Sequence, residues 1–392
     1  MSSSLTATER LDRAEATLQT YFAECVSKAR TTFPPAYKGG KSIASINPNG
    51  SVGYRGIWPD DFYIPVHAGH LFTNAELTDI LEFLTDSVVD LPFLPDCVQE
   101  DGMPHFAFGG EYSMTGVRVS MSLLHGWTQL LRLFEHRGIQ IPEKKRWLGV
   151  FRRSYADLTF SCGLLYSNPN IPHITYAYHD IVAITGFELM ASTYTSRSLE
   201  HMCELFADVA NEEELAEWQR RADDIKKNIK RLYDDERGIY YAGSFTCRQP
   251  DIWGSGLAAG ISDRETRAAI AKFLVDHAVV IFSEGMTRQT DTPDGWERLI
   301  IPFEKGEYMN GGFWARGTAY VLPVLYEFYP DFALDLLEAL VESLPKYQFA
   351  ECVSANTGLP KCTYFLMSVA PNIVAVRAMR RGLQLYDLIG QD

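Results

Sequence analysis

Residues 11–29 read LDRAEATLQTYFAECVSKA, with apolar side chains at Leu11, Ala14, Leu18, Tyr21, Phe22, Cys25 and Val26. Steps of three and four place these on one face of a helix and the charged residues between them on the other. The same period recurs over 62–71, 77–89, 117–134, 147–160, 181–194, 199–209, 213–232, 253–259, 264–277, 313–329, 332–344 and 363–388. Thr8, Asn211 and the Ser262–Asp263 pair stand where N-caps are expected. Alternating, strand-like patterning is rare, with Gly238–Ser244 (GIYYAGS) the best instance and Phe106–Phe108 the next. No Pro/Ser-rich or low-complexity stretch divides the chain. The pattern therefore predicts one all-α domain of paired helices over residues 1–392. A helical solenoid is the rival, but no short fixed repeat supports it.

Aromatic, Gly and acidic residues gather in six segments, each just ahead of an apolar helix. They are Tyr54–Phe62 (YRGIWPDDF), Gln99–Phe106 (QEDGMPHF), Tyr176–Asp180 (YAYHD), Gln249–Gly256 (QPDIWGSG), Tyr308–Trp314 (YMNGGFW) and Ala350–Gly358 (AECVSANTG). Their starts lie roughly 40 to 75 residues apart, about one helical hairpin each. Six hairpins in a ring bring six such loops to one end, where exposed helix N-termini add N–H donors and positive dipole ends. The spacing predicts that these segments converge.

Lys and Arg number 36 against 50 Asp and Glu, a formal net charge of −14. Nucleic acid and anionic membrane surfaces both call for a basic face, so neither is an expected partner. No apolar run approaches the ~18 residues of a membrane span. Met1–Arg10 shows no apolar stretch with a cleavage site. Seven scattered cysteines, odd in number and without a CxxC pair, predict reduced thiols in a cytoplasmic protein. His67 and His70 share a helix face but lack a third ligand, so packing is the expected role and neither metal nor cofactor is expected. Nucleotide-binding and serine-hydrolase motifs are absent in any suitable context.

At the six segments the chain resembles the six-hairpin, (α/α)6-barrel glycosidases, and among them the clan of trehalases, processing α-glucosidases and mannosylglycerate hydrolases. RGIWPDDF (Arg55–Phe62) is similar to their early Arg/Trp/Asp loop and DGMP (Asp101–Pro104) to their Gly-x-Pro loop. HDIVA (His179–Ala183) is similar to the motif opening a central inner helix, and NGGFWARG (Asn310–Gly317) to a late Gly-rich aromatic motif. Glu351 in ECVSANTG stands where those families carry a catalytic Glu ahead of a Thr-Gly pair. The resemblance covers roughly residues 50 to 380 and implies a glycoside hydrolase, acting on carbohydrate, with inversion favoured. It departs at one point. The clan's general-acid Asp lies before the central inner helix, yet residues 161–178 hold no carboxylate, and the first is Asp180.

Glycoside hydrolysis takes two carboxyl groups, one protonated to donate to the leaving oxygen and one ionised to activate water or attack. Candidates in and beside the six segments are Asp60, Asp61, Glu100, Asp101, Glu111, Asp180, Asp251 and Glu351. Crowding them in one pocket raises some of their pKa values by repulsion and burial. Glu351 is the expected base and Asp180 the expected acid, although an Asp heading a helix at Ile181 would equally serve as its N-cap, which lowers the pKa. Asp61 is the rival acid or a sugar-hydroxyl ligand, alongside Asp60. Asp101 reads as a ligand or, in Asp-Gly, as a turn residue. Trp58, Trp253 and Trp314 offer apolar faces for sugar rings or fill the core. Arg55 and Arg316 fork onto substrate oxygens or hold a carboxylate in place. Asn310 belongs to a close-approach loop or a tight turn. His105, Tyr178 and His179 bind hydroxyls, or move protons if the enzyme is an epimerase or lyase, with Tyr176 beside them. A non-catalytic carbohydrate-binding protein is the third reading, and residues 277–307 are expected to form a rim or lid.

Overall fold

Thr6 opens the first helix. Its hydroxyl accepts from the Glu9 N–H while the Glu9 carboxylate accepts from the Thr6 N–H, so α1 (Ala7–Ala29) begins two residues ahead of the expected Thr8 cap. The computed structural model describes residues 5–33, 42–47, 49–50, 54–106, 123–170, 174 and 177–388. Along these run α2 (Pro59–Ala68), α3 (Asn74–Val88), α4 (Leu123–His136), α5 (Lys144–Asp157), α6 (Leu189–Leu205), α7 (Glu212–Asn228) and α8 (Ile252–Ala258). Then come α9 (Arg264–Asp276), α10 (Ala278–Ile281), α11 (Ala315–Phe328), α12 (Pro330–Lys346), α13 (Ala370–Arg381) and α14 (Leu385–Leu388). Asn211 and Asp263 cap α7 and α9 as the sequence predicts.

Packing closes a ring. α2 meets α4, α4 meets α6, α6 meets α8, α8 meets α11, α11 meets α13, and α13 returns to α2. α1, α3, α5, α7, α9 and α12 alternate with these along the chain and lie outside them. Burial follows that division. α7 buries only Trp218, Ala222 and Ile225, whereas every residue of α8 and eleven consecutive residues of α11 (Ala315–Leu325) are buried. A helix apolar on one stripe sits on a surface, and one apolar all round sits inside. This is an (α/α)6 barrel. Chain ends lock it, since Arg10 bridges to Glu338 at 2.7 Å and Arg377 to Glu15 at 3.1 Å.

Inside the ring, Tyr63, His67, Tyr194, Tyr320, Val374 and Leu385 help line a cavity of about 30 Å³ beneath Arg316. His67 thus packs against the barrel interior, and His70 lies 3.4 Å from Arg137.

Short extended segments stitch the loops at one rim. Gly56–Ile57, Cys97–Gln99 and Pro104–His105 form an antiparallel three-stranded sheet linking the approaches to α2 and α4. Cys352–Val353 pairs with Pro360–Lys361, and single bridges join Phe313 to Val353 and Thr287 to Trp314. The GIYYAGS strand shrinks to Ile239–Tyr240. Of the other strand-like stretch, residues 107–108 lie outside the described residues, as do 117–122 ahead of α4.

Helical expectations are overturned at two places: residues 363–369 hold a bridge and a short 3-10 turn, so that α13 starts only at Ala370, and the second place lies ahead of α6. Residues 181–188 are not helical, and α6 starts only at Leu189. Ile181–Ile184 are buried because residues 298–301 cover them: Ala183 N–H donates to Arg298 C=O at 3.0 Å and Ile300 N–H to Ile181 C=O at 2.7 Å. An extended segment buried on both sides loses its alternation and reads as a helix.

Candidate active site

Pro59 occupies the first turn of α2, followed at once by Asp60 and Asp61. Carboxylates are favoured there by the free N–H groups and the positive dipole end. Tyr178 donates its hydroxyl proton to Asp61 Oδ1, and Arg316 Nη1 lies 3.7 Å from the same oxygen. The Arg316 guanidinium lies 3.6 Å from the centroid of the Tyr178 ring. Burial raises the Asp61 carboxyl, and Arg316 opposes that rise.

Three more carboxyls join Asp61 in one cluster, Asp96 and Glu351 facing it and Asp180 facing those two. Asp96 accepts a hydrogen bond from Trp58, and burial with the Asp61 charge pushes it up to about 7. Asp180 sits in a turn and accepts from the Tyr308 hydroxyl at 3.3 Å. Burial pushes Asp180 to about 7, Tyr308 pulls it down, and Asp96 pushes it up again. Glu351 is 5% exposed and pushed up to about 8 by burial, with Asp61 and Asp180 adding repulsion against the Cys362 and Tyr54 hydrogen bonds. Asp60 lies beside them and is held near 7 by burial, against the pull of Arg316. Asp60 Oδ1 and Asp180 Oδ1 are buried without a hydrogen-bond partner among the described residues.

Aromatic rings wall the cluster. Tyr54 meets Trp58 edge-on at 5.5 Å, Tyr308 meets Trp314 at 5.1 Å, and Trp314 meets Tyr178 at 6.4 Å. Tyr308 has φ of 46°, a left-handed conformation that a tyrosine adopts only when its surroundings impose it. Among the described residues no three His, Cys, Asp or Glu side chains are arranged to hold a metal ion.

No family model and no curated protein matches the chain. Solved structures do. A bacterial glucoamylase complexed with acarbose superposes with a TM-score of 0.56 at 14% identity over 86% of this chain and 51% of its own. The chain thus spans about half the length of that enzyme. A mannosylglycerate hydrolase from Thermus thermophilus gives 0.56 at 14% identity, covering 91% of this chain and 99% of the other. A metal-independent α-mannosidase of Streptococcus pneumoniae gives 0.57 at 12% identity, covering 94% and 96%. The fold is that of the six-hairpin glycosidases.

Within this six-hairpin fold the residues singled out from sequence separate into groups. Asp60, Asp61, Trp58, Tyr178, Asp180, Arg316 and Glu351 meet, as do the rings of Trp253 and Trp314 behind them. Trp253 is fully buried, 5.8 Å from Trp314, and stacks on Tyr320, so it lies a layer beneath the pocket wall. His179 is fully buried against Trp296 at 5.3 Å, with its Nε2 3.9 Å from Asp251 Oδ2. Burial holds that imidazole neutral, down to about 3. Asp251 caps α8, accepting from Gly254 N–H at 2.8 Å. Asn310 spends its side chain inside its own loop, accepting from Trp296 N–H at 2.9 Å and donating to Phe303 C=O at 2.8 Å. Asp101 is exposed and accepts from Met103 N–H at 2.9 Å, the turn role. Arg55 is exposed and pairs with Glu100 at 2.8 Å, and His105 stands exposed on the adjoining edge. Glu111 and Tyr176 lie outside the described residues. From the 277–307 segment expected to form a rim, Gln289 donates to Tyr178 C=O at 2.7 Å beside the site.

Sequence reasoning missed Asp96, which sits in LPDC ahead of the quoted second segment, and did not single out Tyr54, Tyr308 or Cys362. A Pro-Asp pair between helices reads as an ordinary turn.

Proposed function

We propose that this chain is a glycoside hydrolase, a single catalytic domain, in which Glu351 is the general base and Asp180 the general acid of an inverting reaction. The observation that carries the reading is the meeting of Asp61, Asp96, Asp180 and Glu351, brought from separate loops to one aromatic-walled rim. Asp180 would donate its proton to the leaving oxygen as the glycosidic bond breaks. Glu351 would take the proton of the water that attacks the anomeric carbon. The pair titrates together. Glu351 receives side-chain hydrogen bonds from Tyr54 and Cys362, and Asp180 receives one from Tyr308 and one from its own backbone, so with Asp180 near 7 and Glu351 near 8 the two share a proton around neutral pH. Protonating Asp180 also removes one of the charges that push Glu351 up. Asp180 lies in a turn rather than at a helix start, which removes the capping effect that would make it a poor acid. Asp61, beside Arg316 and Tyr178, is suited to holding charge and binding sugar hydroxyls.

An epimerase or lyase working through His179 is disfavoured by its complete burial. All seven cysteines are unpaired, which supports a reducing compartment such as the cytoplasm; among the described residues, no helix is long and apolar enough to cross a membrane. The test is a panel of nitrophenyl glycosides and disaccharides with wild type, Glu351→Gln and Asp180→Asn, the product anomer being read by NMR. Hydrolysis that survives Glu351→Gln undiminished removes Glu351 as base. Inactivity across the whole panel favours a binding protein.

A further inference from the structure

Glu351 is held from two sides. Its N–H donates to Lys361 C=O at 3.0 Å and Cys362 C=O at 2.9 Å, so the hairpin sets Cys362 opposite it. Cys362 has φ of 52°, in the left-handed region that favours glycine. Its sulfur lies 3.8 Å from the Tyr54 hydroxyl, which itself lies 3.4 Å from Glu351 Oε2. The thiol hydrogen-bonds the Glu351 carboxylate, and the Asn49 side chain hydrogen-bonds the sulfur. Asn49 is anchored in turn by a backbone bridge to Phe365. Tyr54 and Cys362 thus reach the Glu351 carboxylate from separate segments, with Asn49 behind the sulfur.

We infer that Cys362 is a positioning residue for Glu351: its S–H and the Tyr54 O–H donate to the carboxylate, fix its direction, and favour its ionised form. This rests on the reading of Glu351 as the base. Glu351 is faced by Tyr54, Asp61, Asp180, Tyr308 and Cys362, and Cys362 by Glu351, Tyr54, Asn49 and Cys352. Of these, only Tyr54 and Cys362 pull Glu351 toward ionisation. A thiol that donates to an anion gives up its proton reluctantly, and burial together with Glu351 raises Cys362 above the ordinary thiol value.

The first measurement needs no substrate. Iodoacetamide alkylation of Cys362 in the intact protein is followed against pH by peptide mass spectrometry, with exposed Cys162 as internal control. In Glu351→Gln the negative charge is gone, so the Cys362 profile moves to lower pH and alkylation at pH 8 quickens about tenfold, the effect of one pKa unit. Cys162 is unchanged. Should Glu351→Gln fail to fold, Tyr54→Phe carries the test and moves the Cys362 profile to higher pH. Profiles that coincide with wild type overturn the inference, whether or not the protein cleaves glycosides. The second measurement uses any glycoside that wild type hydrolyses. Cys362→Ala lowers kcat about tenfold, the cost of a hydrogen bond to a charged group, and moves the acidic limb of the kcat profile to higher pH with KM little changed. Cys362→Ser, which keeps a donor, restores both. A Cys362→Ala profile whose limb stays in place overturns the inference even if kcat falls.

Discussion

Arg316 lies over the Tyr178 ring, with its guanidinium carbon 3.6 Å from the centroid, and both side chains reach Asp61. Arg316 is 2% exposed. A buried cation is costly unless paired, and a buried anion stripped of its cation is costlier still. Arg316→Met therefore destabilises the fold by about 3 kcal/mol at pH 8. The loss is smaller at pH 5, where Asp61, already raised by burial and now without its cation, takes up a proton. Urea denaturation at the two pH values checks the sign.

The five site carboxyls all lie above their ordinary range: Asp60, Asp96 and Asp180 at about 7, Glu351 at about 8, and Asp61 raised. Between about 4, where unfolded carboxyls titrate, and 7 to 8, where Asp60, Asp96, Asp180 and Glu351 titrate when folded, the native state binds more protons than the unfolded chain. Their contribution to stability is complete below the unfolded value and is lost as pH rises through the folded values. Asp96→Asn, which leaves the proposed acid and base intact, should raise the melting temperature at pH 8 and change it little at pH 5. A scan by differential calorimetry reads this directly, and an equal shift at both values contradicts it.

Activity separates the carboxyls. Glu351→Gln and Asp180→Asn each lower kcat about 10³-fold, within the range lost with an acid or base. Asp180→Asn recovers more on nitrophenyl substrates, whose leaving group needs little protonation. Asp101→Ala and Arg55→Ala stay within about 0.5 kcal/mol of wild type in stability, as surface changes do, and keep most of the activity.

Gly317 lies against the Trp253 indole, and a Cβ added there would collide with the ring. Trp253 packs on Trp314 and Tyr320, so the ring cannot move without shifting the pocket wall. Gly317→Ala costs about 1–3 kcal/mol by overpacking. It also raises KM on any substrate whose sugar stacks on that wall. Steady-state kinetics alongside thermal melts separate the two effects.

The helices were legible because packing a ring within a ring keeps the three-and-four period intact, as in Leu11–Val26. The convergence of the six segments was legible for the same reason, since hairpin length fixes which end each loop reaches. Asp180 was placed at a helix start because Ile181–Ile184 is apolar without alternation, and only the cover from 298–301 distinguishes a buried extended run from a helix. Asn310 looked like a ligand because Asn-Gly-Gly suits both a binding loop and a self-bonded turn, and partners decide between them. Asp96 and Cys362 were invisible as site residues because their importance comes from distant partners, Trp58 and Glu351, which local pattern does not report.

Ring closure has a temporal side. Glu351, Cys362 and α13 come late in the chain, yet α13 completes the ring by meeting α2, and α1 rests on α12 and α13. While the polypeptide is being synthesised, the early hairpins must wait with their inner faces uncovered. Asp61 meets Glu351 only after the final hairpin has left the ribosome. A nascent chain stalled before residue 350 would carry most of the barrel but lack Glu351, Cys362 and the helix that closes the ring on α2.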